Sequence, residues 1–345
     1  MRTKYVQTLK LLDEMVTSGA VPGVSYAIFD GDKTIKKVDG FAEITPHKVQ
    51  LRDGLQYDLA SLTKVIGTVP IIALLIQSGA LSLDAPVHRY LPEIRNTEVT
   101  VRNLITHTAA IEGYIPHRNE LGPHQLLQSL LTQERIGTNL NKNILYTDIG
   151  FIYLGLIAER IWGQPIQVLS QRHIFKPLGM VRTTYTPYWQ DCVPTEIQPK
   201  RGLIQGQAHD PKGYILQRHC GSAGLFSTLE DLTKYGRSLI EENLDHMFTE
   251  QTMQLFFSDQ TPLEGVHNRG LGWKLLHAHT EDHHPVISHT GYTGTWIILD
   301  RQTDQGMIVL SNRVHPTANN DEYLNYRGRI MATYMDEKDQ LVTTE

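Results

Sequence analysis

The stretch Ser61-Leu62-Thr63-Lys64 opens a long apolar segment, and nowhere else in the chain does a serine precede a lysine by three residues. On a helix this spacing puts both side chains on one face, one turn apart. The serine hydroxyl would lie at the helix N-terminus, where free N–H groups and the helix dipole favour developing negative charge. Burial would lower the pKa of Lys64, so that its neutral amine could accept the proton of Ser61. The pattern therefore predicts a nucleophile with an adjacent base.

The same four residues also fit an ordinary helix N-cap followed by a solvated lysine. The neighbours Val65, Ile66 and Val69 favour a buried helix instead, and an unpaired charge in such a helix would be costly. We therefore expect Ser61 to be the nucleophile and Lys64 to be its base.

Composition and charge exclude several classes of protein. The chain has 345 residues, of which 40% are hydrophobic and 20% charged, as in an ordinary globular protein with a sizeable core. A net charge of −5 argues against nucleic acid and anionic membrane surfaces as partners. The two cysteines, Cys192 and Cys220, form neither a metal pair nor a disulfide framework, and we expect buried thiols.

The N-terminal stretch, residues 1–19, does not read as a secretory signal, because charged residues interrupt it and no apolar core region occurs. The longest apolar run, residues 65–76, contains Pro70 and is shorter than the roughly 20 residues that span a bilayer. We expect a cytoplasmic protein without a membrane span. The oligomeric state is left open.

Strand-like segments occur at both ends of the chain. Residues 24–29 and 34–38 read as a hairpin, and residues 285–288, 295–299 and 307–310 read as further strands before a closing helix. The middle is mostly helical. We expect an α/β (α+β) fold with one antiparallel sheet assembled from both ends, flanked by helices. The expected domains are a discontinuous sheet domain, 1–60 with 265–345, and an inserted helical region, 61–264.

Two further short motifs follow Ser61-Leu62-Thr63-Lys64 along the chain. Tyr146-Thr147-Asp148 precedes a predicted helix, and His289-Thr290-Gly291, followed by Tyr292, ends a predicted strand. In this order the three motifs resemble the signatures of the serine β-lactamase and penicillin-binding-protein superfamily. The resemblance is to its class C-like branch, which also holds esterases and D-aminopeptidases. Supporting phrases such as Leu104–Thr108 and Gly221–Thr228 extend it over about residues 20–315.

The resemblance implies a β-lactamase/transpeptidase-like fold and a mechanism through an acyl-enzyme on Ser61. In the class C-like branch the residue matching Tyr146 moves protons to the leaving group and to the attacking water. The backbone N–H groups of Ser61 and Tyr292 would form the oxyanion hole. Asp148, His289, Thr290, Gly291 and Tyr292 would contact a small-molecule or peptide-like substrate. No metal or organic cofactor is implied.

Two positions depart from the pattern of the superfamily. Asp148 stands where asparagine is more frequent, and an ionised aspartate cannot donate a hydrogen bond. Its charge would hold Lys64 protonated, yet an N-cap of the helix beginning at Ile149 is an equal alternative. His289 stands where penicillin-recognising members carry lysine. A mostly neutral imidazole offers a directional hydrogen bond in place of a fixed cation for the carboxylate of a substrate.

Other histidines in the sequence suggest two alternative kinds of site, a zinc site and a histidine–aspartate dyad. The segment His277–His284 loosely resembles a zinc motif with one residue too many, and we interpret it as an exposed loop without a metal. His107-Thr108 and His209-Asp210 could form a histidine–aspartate dyad with Ser61. Because a serine–lysine–tyrosine set needs no such dyad, we interpret them as structural.

Three functions remain as hypotheses. An esterase or D-amino acid amidase is favoured by His289, and a β-lactamase or D-alanyl-D-alanine carboxypeptidase by the overall resemblance. A catalytically silent binding or sensor module is disfavoured by the presence of Ser61, Lys64 and Tyr146 together.

Overall fold

A computed structural model describes residues 1, 3–241 and 247–340. The strands are, in chain order, β1 Gly23–Asp30, β2 Lys33–Glu43, β3 Val49–Gln50, β4 Tyr57–Asp58, β5 Ile111–Glu112, β6 Arg135–Ile136, β7 Ile197–Gln198, β8 Gly202–Leu203, β9 Phe226–Ser227, β10 Lys274–His277, β11 Pro285–Thr290, β12 Trp296–Asp300 and β13 Gln305–Ser311. The helices are α1 Val6–Thr17, α2 Val69–Gln77, α3 Val101–Ile105, α4 Pro123–Gln133, α5 Ile149–Trp162, α6 Ile166–Ser170, α7 Pro211–Leu216, α8 Leu229–Ile240, α9 Glu250–Phe257 and α10 Asp321–Lys338.

The central sheet joins the two ends of the chain. Its strand order is β10-β11-β12-β13-β1-β2-β3, and its pairs are antiparallel. The N-terminal strand β1 pairs along its length with the C-terminal strand β13, with Ala27 opposite Ile308. The predicted fold class, one antiparallel sheet flanked by helices with a helical region inserted, is confirmed.

The strands bury side chains on both faces because both faces are covered by helices. Along β12, Trp296 and Ile298 point toward the terminal helices α1 and α10, whereas Ile297 and Leu299 point toward the inserted helices. This two-sided burial explains why the C-terminal strands are continuous apolar runs rather than alternating ones.

The nucleophile segment leads into a helix that is apolar on every side. Its first turn, Lys64–Thr68, is π-helical, and α2 continues from Val69 with Pro70 in its first turn. Because proline lacks an N–H group and crowds the preceding turn, the wider π-helical turn suits this position. The apolar side chains of α2 form part of the main core, as the sequence predicted.

Strand β10 was missed in the sequence, and the expected exposed loop at His277–His284 was wrong in part. His277 ends β10, and His284 is buried. The imidazole of His284 contacts the carboxylate of Asp300 at 2.9 Å, whereas that of His279 contacts Asp336 at 2.8 Å. These carboxylates explain the histidines as structural groups.

The division into domains at residues 60/61 and 264/265 stays a prediction, and residues 242–246 and 341–345 of those ranges lie outside the described residues. Both cysteines are buried as free thiols, as expected. Within the described ranges, the helices are too short or too polar to cross a membrane.

Asp300 is expected to stabilise the junction between the sheet and α10. Its carboxylate is fully buried and lies 2.6 Å from the Nζ of Lys338, which is also fully buried. Breaking a buried pair by removing one partner costs about 3–5 kcal/mol. Asp300→Asn should therefore lower the free energy of unfolding by about that amount in urea titrations.

The matched control is Glu120→Gln, which removes the exposed ion pair with Lys200. It should leave the unfolding midpoint unchanged, because exposed ion pairs contribute little. Equal midpoints for the two variants would contradict the role of Asp300.

Candidate active site

The predicted nucleophile and lysine are in direct contact. The ammonium Nζ of Lys64 donates to the Oγ of Ser61 at 2.7 Å. The Lys64 side chain is fully buried, whereas Ser61 is partly exposed and lines a cavity. The structure thus brings the two residues together as the spacing predicted, and it leaves the hydroxyl open to a substrate.

Lys64 has two further acceptors, both supplied by distant parts of the chain. Its Nζ lies 2.7 Å from Oδ1 of Asp148 and 3.2 Å from the carbonyl oxygen of Ser222. With Ser61 these acceptors match the three N–H donors of an ammonium group. The geometry therefore fits a protonated lysine.

The expected lowering of the pKa of Lys64 is wrong. Burial by itself lowers this pKa, but the carboxylate of Asp148 and the phenol of Tyr146 outweigh it, and the pKa lies above its ordinary value. Lys64 is therefore an ammonium at neutral pH, and it cannot accept the proton of Ser61 in the resting site.

Asp148 acts through its charge and does not cap α5. Its side chain makes no hydrogen bond to the helix N-terminus, although it directly precedes Ile149. Its second oxygen, Oδ2, lies 3.1 Å from the Nζ of Lys212. Burial raises the pKa of Asp148, but Lys64 and Lys212 together hold it well below its usual range. Of the two alternatives left by the sequence, the structure shows the ionic one.

Tyr146 lies beside Lys64 at the edge of the cavity. The Lys64 Nζ is 5.2 Å from the centroid of the tyrosine ring, and the Tyr146 residue is 46% exposed. The ring also contacts the His107 imidazole, with centroids 4.4 Å apart. Both neighbours of Tyr146 are held by His107, because Leu145 donates its N–H to the His107 carbonyl and Thr147 donates to Nδ1.

His107 makes these contacts to the Tyr146 loop from an unusual backbone conformation. His107 has φ 60°, in the left-handed region that is costly for a residue with a Cβ. Burial holds the pKa of its imidazole well below the ordinary value, so the ring is neutral. His107 was predicted to be a structural residue, and the structure shows that it supports the loop that carries Tyr146.

His289 is a neutral hydrogen-bond acceptor. Burial, Lys64 and Arg269 lower the pKa of its imidazole to about 3. Its Nδ1 lies 3.1 Å from the Thr290 carbonyl oxygen, which can only accept, so Nδ1 carries the proton and Nε2 is left as an acceptor. His289 therefore offers no positive charge to a substrate carboxylate.

Gly291 lets the β11 end approach the nucleophile segment. A Cβ at this position would lie 2.5 Å from the carbonyl oxygen of Leu59 and 2.2 Å from the Oγ1 of Thr295. The glycine is therefore needed for the contact between the end of β11 and the chain two residues before Ser61.

The oxyanion-hole groups remain a prediction. Among the described residues, the backbone N–H groups of Ser61 and Tyr292 have no protein acceptor. Both residues line the same cavity. Two unpaired donors at such a site are available to a developing oxyanion.

The cavity in front of Ser61 has a volume of about 730 Å³, within the range of small-molecule sites. Its walls include charged residues that belong to none of the three motifs. These residues, which come from the loops before β7 and before α7, from the loop after β13 and from α10, are Glu196, His209, Asp210, Arg313 and Arg327.

His209 and Asp210 were interpreted as structural, yet both line the cavity. The Nε2 of His209 lies 3.0 Å from Glu196, and its ring stacks on Tyr292 with centroids 5.5 Å apart. No local pattern could have placed Glu196 or Arg327 here, because the loop of Glu196 and the helix α10 of Arg327 meet the site only through the fold.

Comparison with known proteins agrees with this geometry. A sequence model of the Beta-lactamase family matches residues 9–328. The chain belongs to the Beta-lactamase family. It is a serine hydrolase of the β-lactamase-like superfamily, as its relatives are. The three sequence motifs, from Ser61 to Tyr292, lie within the matched residues.

Individual relatives show how widely this family has diverged. The chain is 23% identical to an N-acetylmuramyl-L-alanine amidase of Bacillus subtilis, over 91% of this chain and 82% of the relative. A class C beta lactamase superposes with a TM-score of 0.75 at 20% identity, covering 96% of this chain and 98% of the other. A beta-lactamase/D-alanine carboxypeptidase from Pseudomonas syringae superposes with a TM-score of 0.73 at 17% identity, covering 96% and 99%.

Gly291→Ala in this Beta-lactamase family member should disturb the nucleophile segment. The added Cβ meets backbone and a buried side chain at Leu59 and Thr295, and overpacking of this kind costs about 1–3 kcal/mol. We expect a lower free energy of unfolding and slower acylation of Ser61, measured by urea titration and by intact mass.

Gly328→Ala is the matched control, because a Cβ there meets nothing within 4 Å on helix α10. It should stabilise the protein by about 0.5–1 kcal/mol and leave acylation unchanged. Normal stability and acylation in Gly291→Ala would show that the close approach is not required.

Asp148→Asn tests the charge state of Lys64. Without the carboxylate, burial dominates and the pKa of Lys64 falls below that in the wild type. The acylation rate of the variant should then rise from neutral to alkaline pH as Lys64 loses its proton, a step absent from the wild-type profile. Superimposable pH profiles of the two proteins, measured with the same ester, would contradict this assignment.

Proposed function

We propose that this protein cleaves an amide or ester of a polar, peptide-like acyl group through an acyl-enzyme on Ser61. The observation that carries the proposal is the 2.7 Å contact between the Ser61 hydroxyl and the buried Lys64 ammonium at the wall of the cavity. A hydroxyl held by a buried cation is the arrangement that stabilises a developing alkoxide.

Tyr146 is the proton acceptor in this proposal. Lys64 is already protonated, and His107 faces Tyr146 as a neutral ring, so the phenol oxygen beside Lys64 remains for proton transfer. As the Ser61 Oγ–carbon bond forms, the hydroxyl proton of Ser61 passes to the phenol oxygen of Tyr146. The phenol releases its own proton to the leaving amine or alcohol as the scissile bond breaks, so Tyr146 stays neutral.

Water completes the cycle. The phenol oxygen of Tyr146 takes a proton from the attacking water while its own proton passes to Oγ of Ser61, and the bond between Oγ and the acyl carbon breaks. The N–H groups of Ser61 and Tyr292 would stabilise both oxyanions. Lys64 stays charged throughout and holds the oxygen of Ser61 in place.

The cavity walls support a polar substrate over a simple alkyl ester. Asp148, Glu196 and Asp210 supply carboxylates, and Arg313 and Arg327 supply guanidinium groups. A long alkyl chain would remove water from these charged groups without replacing its hydrogen bonds. The similarity to the N-acetylmuramyl-L-alanine amidase of Bacillus subtilis supports an amide as the substrate.

A D-alanyl-D-alanine carboxypeptidase or β-lactamase is the second candidate. Arg327 lies in the cavity wall and, within the described residues, makes no ion pair, so it could receive the carboxylate of such a substrate. The neutral His289 argues against a carboxylate at the end of β11, where the superfamily more often has lysine.

The test compares wild type and Ser61→Ala on p-nitrophenyl butyrate, a D-amino acid p-nitroanilide and a chromogenic cephalosporin. We expect a mass adduct on the wild type and a loss of turnover of about 100-fold or more in the variant. Turnover of the anilide above the cephalosporin would support the first candidate. An unchanged rate in Ser61→Ala would overturn the proposed nucleophile.

A further inference from the structure

Lys212 is a buried cation that no sequence motif pointed to. It lies in α7, is 7% exposed, and does not line the cavity. Its Nζ contacts Oδ2 of Asp148 at 3.1 Å and Oδ2 of Asp210 at 3.1 Å. Burial lowers the pKa of Lys212, but the two carboxylates outweigh it and raise this pKa above its ordinary value.

The contacts form a row of four alternating charges. Lys64 contacts one oxygen of Asp148 at 2.7 Å, and Lys212 contacts the other. Asp210 closes the row on the far side of Lys212. The two ammonium groups and two carboxylates sum to zero, which is the condition under which buried charges are tolerated.

The position of Lys212 is itself set by Asp210. The Oδ1 of Asp210 accepts from the backbone N–H groups of Lys212 at 2.8 Å and Gly213 at 3.0 Å, which caps α7. Its Oδ2 contacts the Lys212 ammonium. One aspartate therefore fixes both the backbone and the charged end of Lys212.

Removal of Lys212 would change the balance of charges around Lys64 and, through Lys64, the contact with Ser61. The Asp148 carboxylate would keep Lys64 as its one close cation, and its Oδ2 would be left without the ammonium that now contacts it. A buried, half-paired carboxylate attracts the remaining cation more strongly. Because Lys64 divides its donors among Ser61, Asp148 and Ser222, a stronger pull from Asp148 weakens the hold on the Ser61 hydroxyl.

We propose that Lys212 is a positioning residue of the acylation reaction, which supplies the second positive charge that keeps Lys64 aligned on Ser61 rather than drawn to Asp148. This role rests on the proposed function of Ser61. It concerns charge balance, and so it differs from a role in which Lys212 simply attaches α7 to α5.

The two roles predict different outcomes for a double substitution. If Lys212 only joins two helices, Lys212→Met and Asp148→Asn should each weaken the same junction. The double variant would then be at least as impaired as Lys212→Met. If charge balance matters, Asp148→Asn removes the carboxylate that Lys212 neutralises, and it should restore part of the activity lost in Lys212→Met.

The experiment measures the rate of Ser61 acylation by a p-nitrophenyl ester and by a fluorophosphonate probe, with thermal melting of each variant alongside. We expect Lys212→Met to acylate about 10- to 100-fold more slowly, since small misplacement of a reacting group has effects of this size. Lys212→Arg, which keeps the charge, should stay within a few-fold of wild type. The double variant Asp148→Asn/Lys212→Met should acylate faster than Lys212→Met alone.

Lys200→Met is the matched control, because Lys200 is an exposed lysine with a single carboxylate partner, Glu120. It should acylate at the wild-type rate. If Lys212→Met does not fold, Lys212→Gln and the double variant, both without the charge at this position, give the same comparison.

The outcomes separate this role from the proposed function. If the wild type is acylated, an unchanged rate in Lys212→Met would overturn the role of Lys212 and leave the proposed function standing. A double variant that acylates no faster than Lys212→Met would have the same meaning. No adduct on wild-type Ser61 with either probe would overturn the proposed function and this role with it.

Discussion

The ion pair between Lys64 and Asp148 is the interaction on which the site depends. A fully buried ammonium is costly unless it is paired and hydrogen-bonded, and Lys64 has both a carboxylate and two further oxygen acceptors. These acceptors come from the start of the nucleophile helix, from the residue before α5 and from the loop after α7. One buried charge therefore ties three separate segments to the same point.

The same pair decides the chemistry that the site can perform. With Asp148 beside it, Lys64 is a permanent cation, and its contribution is to hold and stabilise the oxygen of Ser61. In the proposed reaction, protons pass through Tyr146, whose loop is held by the backbone and ring of His107. The two buried imidazoles nearby are neutral for lack of a carboxylate close enough to offset their burial.

The central sheet contributes another wall of the cavity in front of Ser61, at the end of β11. The hydroxyls of Thr293 and Thr295 donate to the carbonyl oxygens of Asp58 at 2.6 Å and Leu59 at 3.1 Å. These bonds join the turn after β11 to the chain just before Ser61, and Gly291 permits the close approach. The spacing between Ser61 and the end of β11 is therefore set by these hydroxyl–carbonyl bonds and by the close approach at Gly291.

Much of this protein could be predicted from local sequence. The helical spacing of Ser61 and Lys64, the apolar strands at both ends and the order of the three motifs depend on neighbours within a few residues or on a pattern shared by a superfamily, and the structure agrees with each. The charge state of Lys64, the support of Tyr146 by His107 and the pairing of Asp148 with Lys212 could not be predicted in this way. They depend on which oxygen atoms and cations meet in the interior, and a pKa in a buried site responds to those neighbours more than to the residue type. The sequence by itself determined which groups are candidates for reaction. The tertiary structure alone decided their protonation and their partners, because electrostatic energies depend on distance in space and not on separation along the chain.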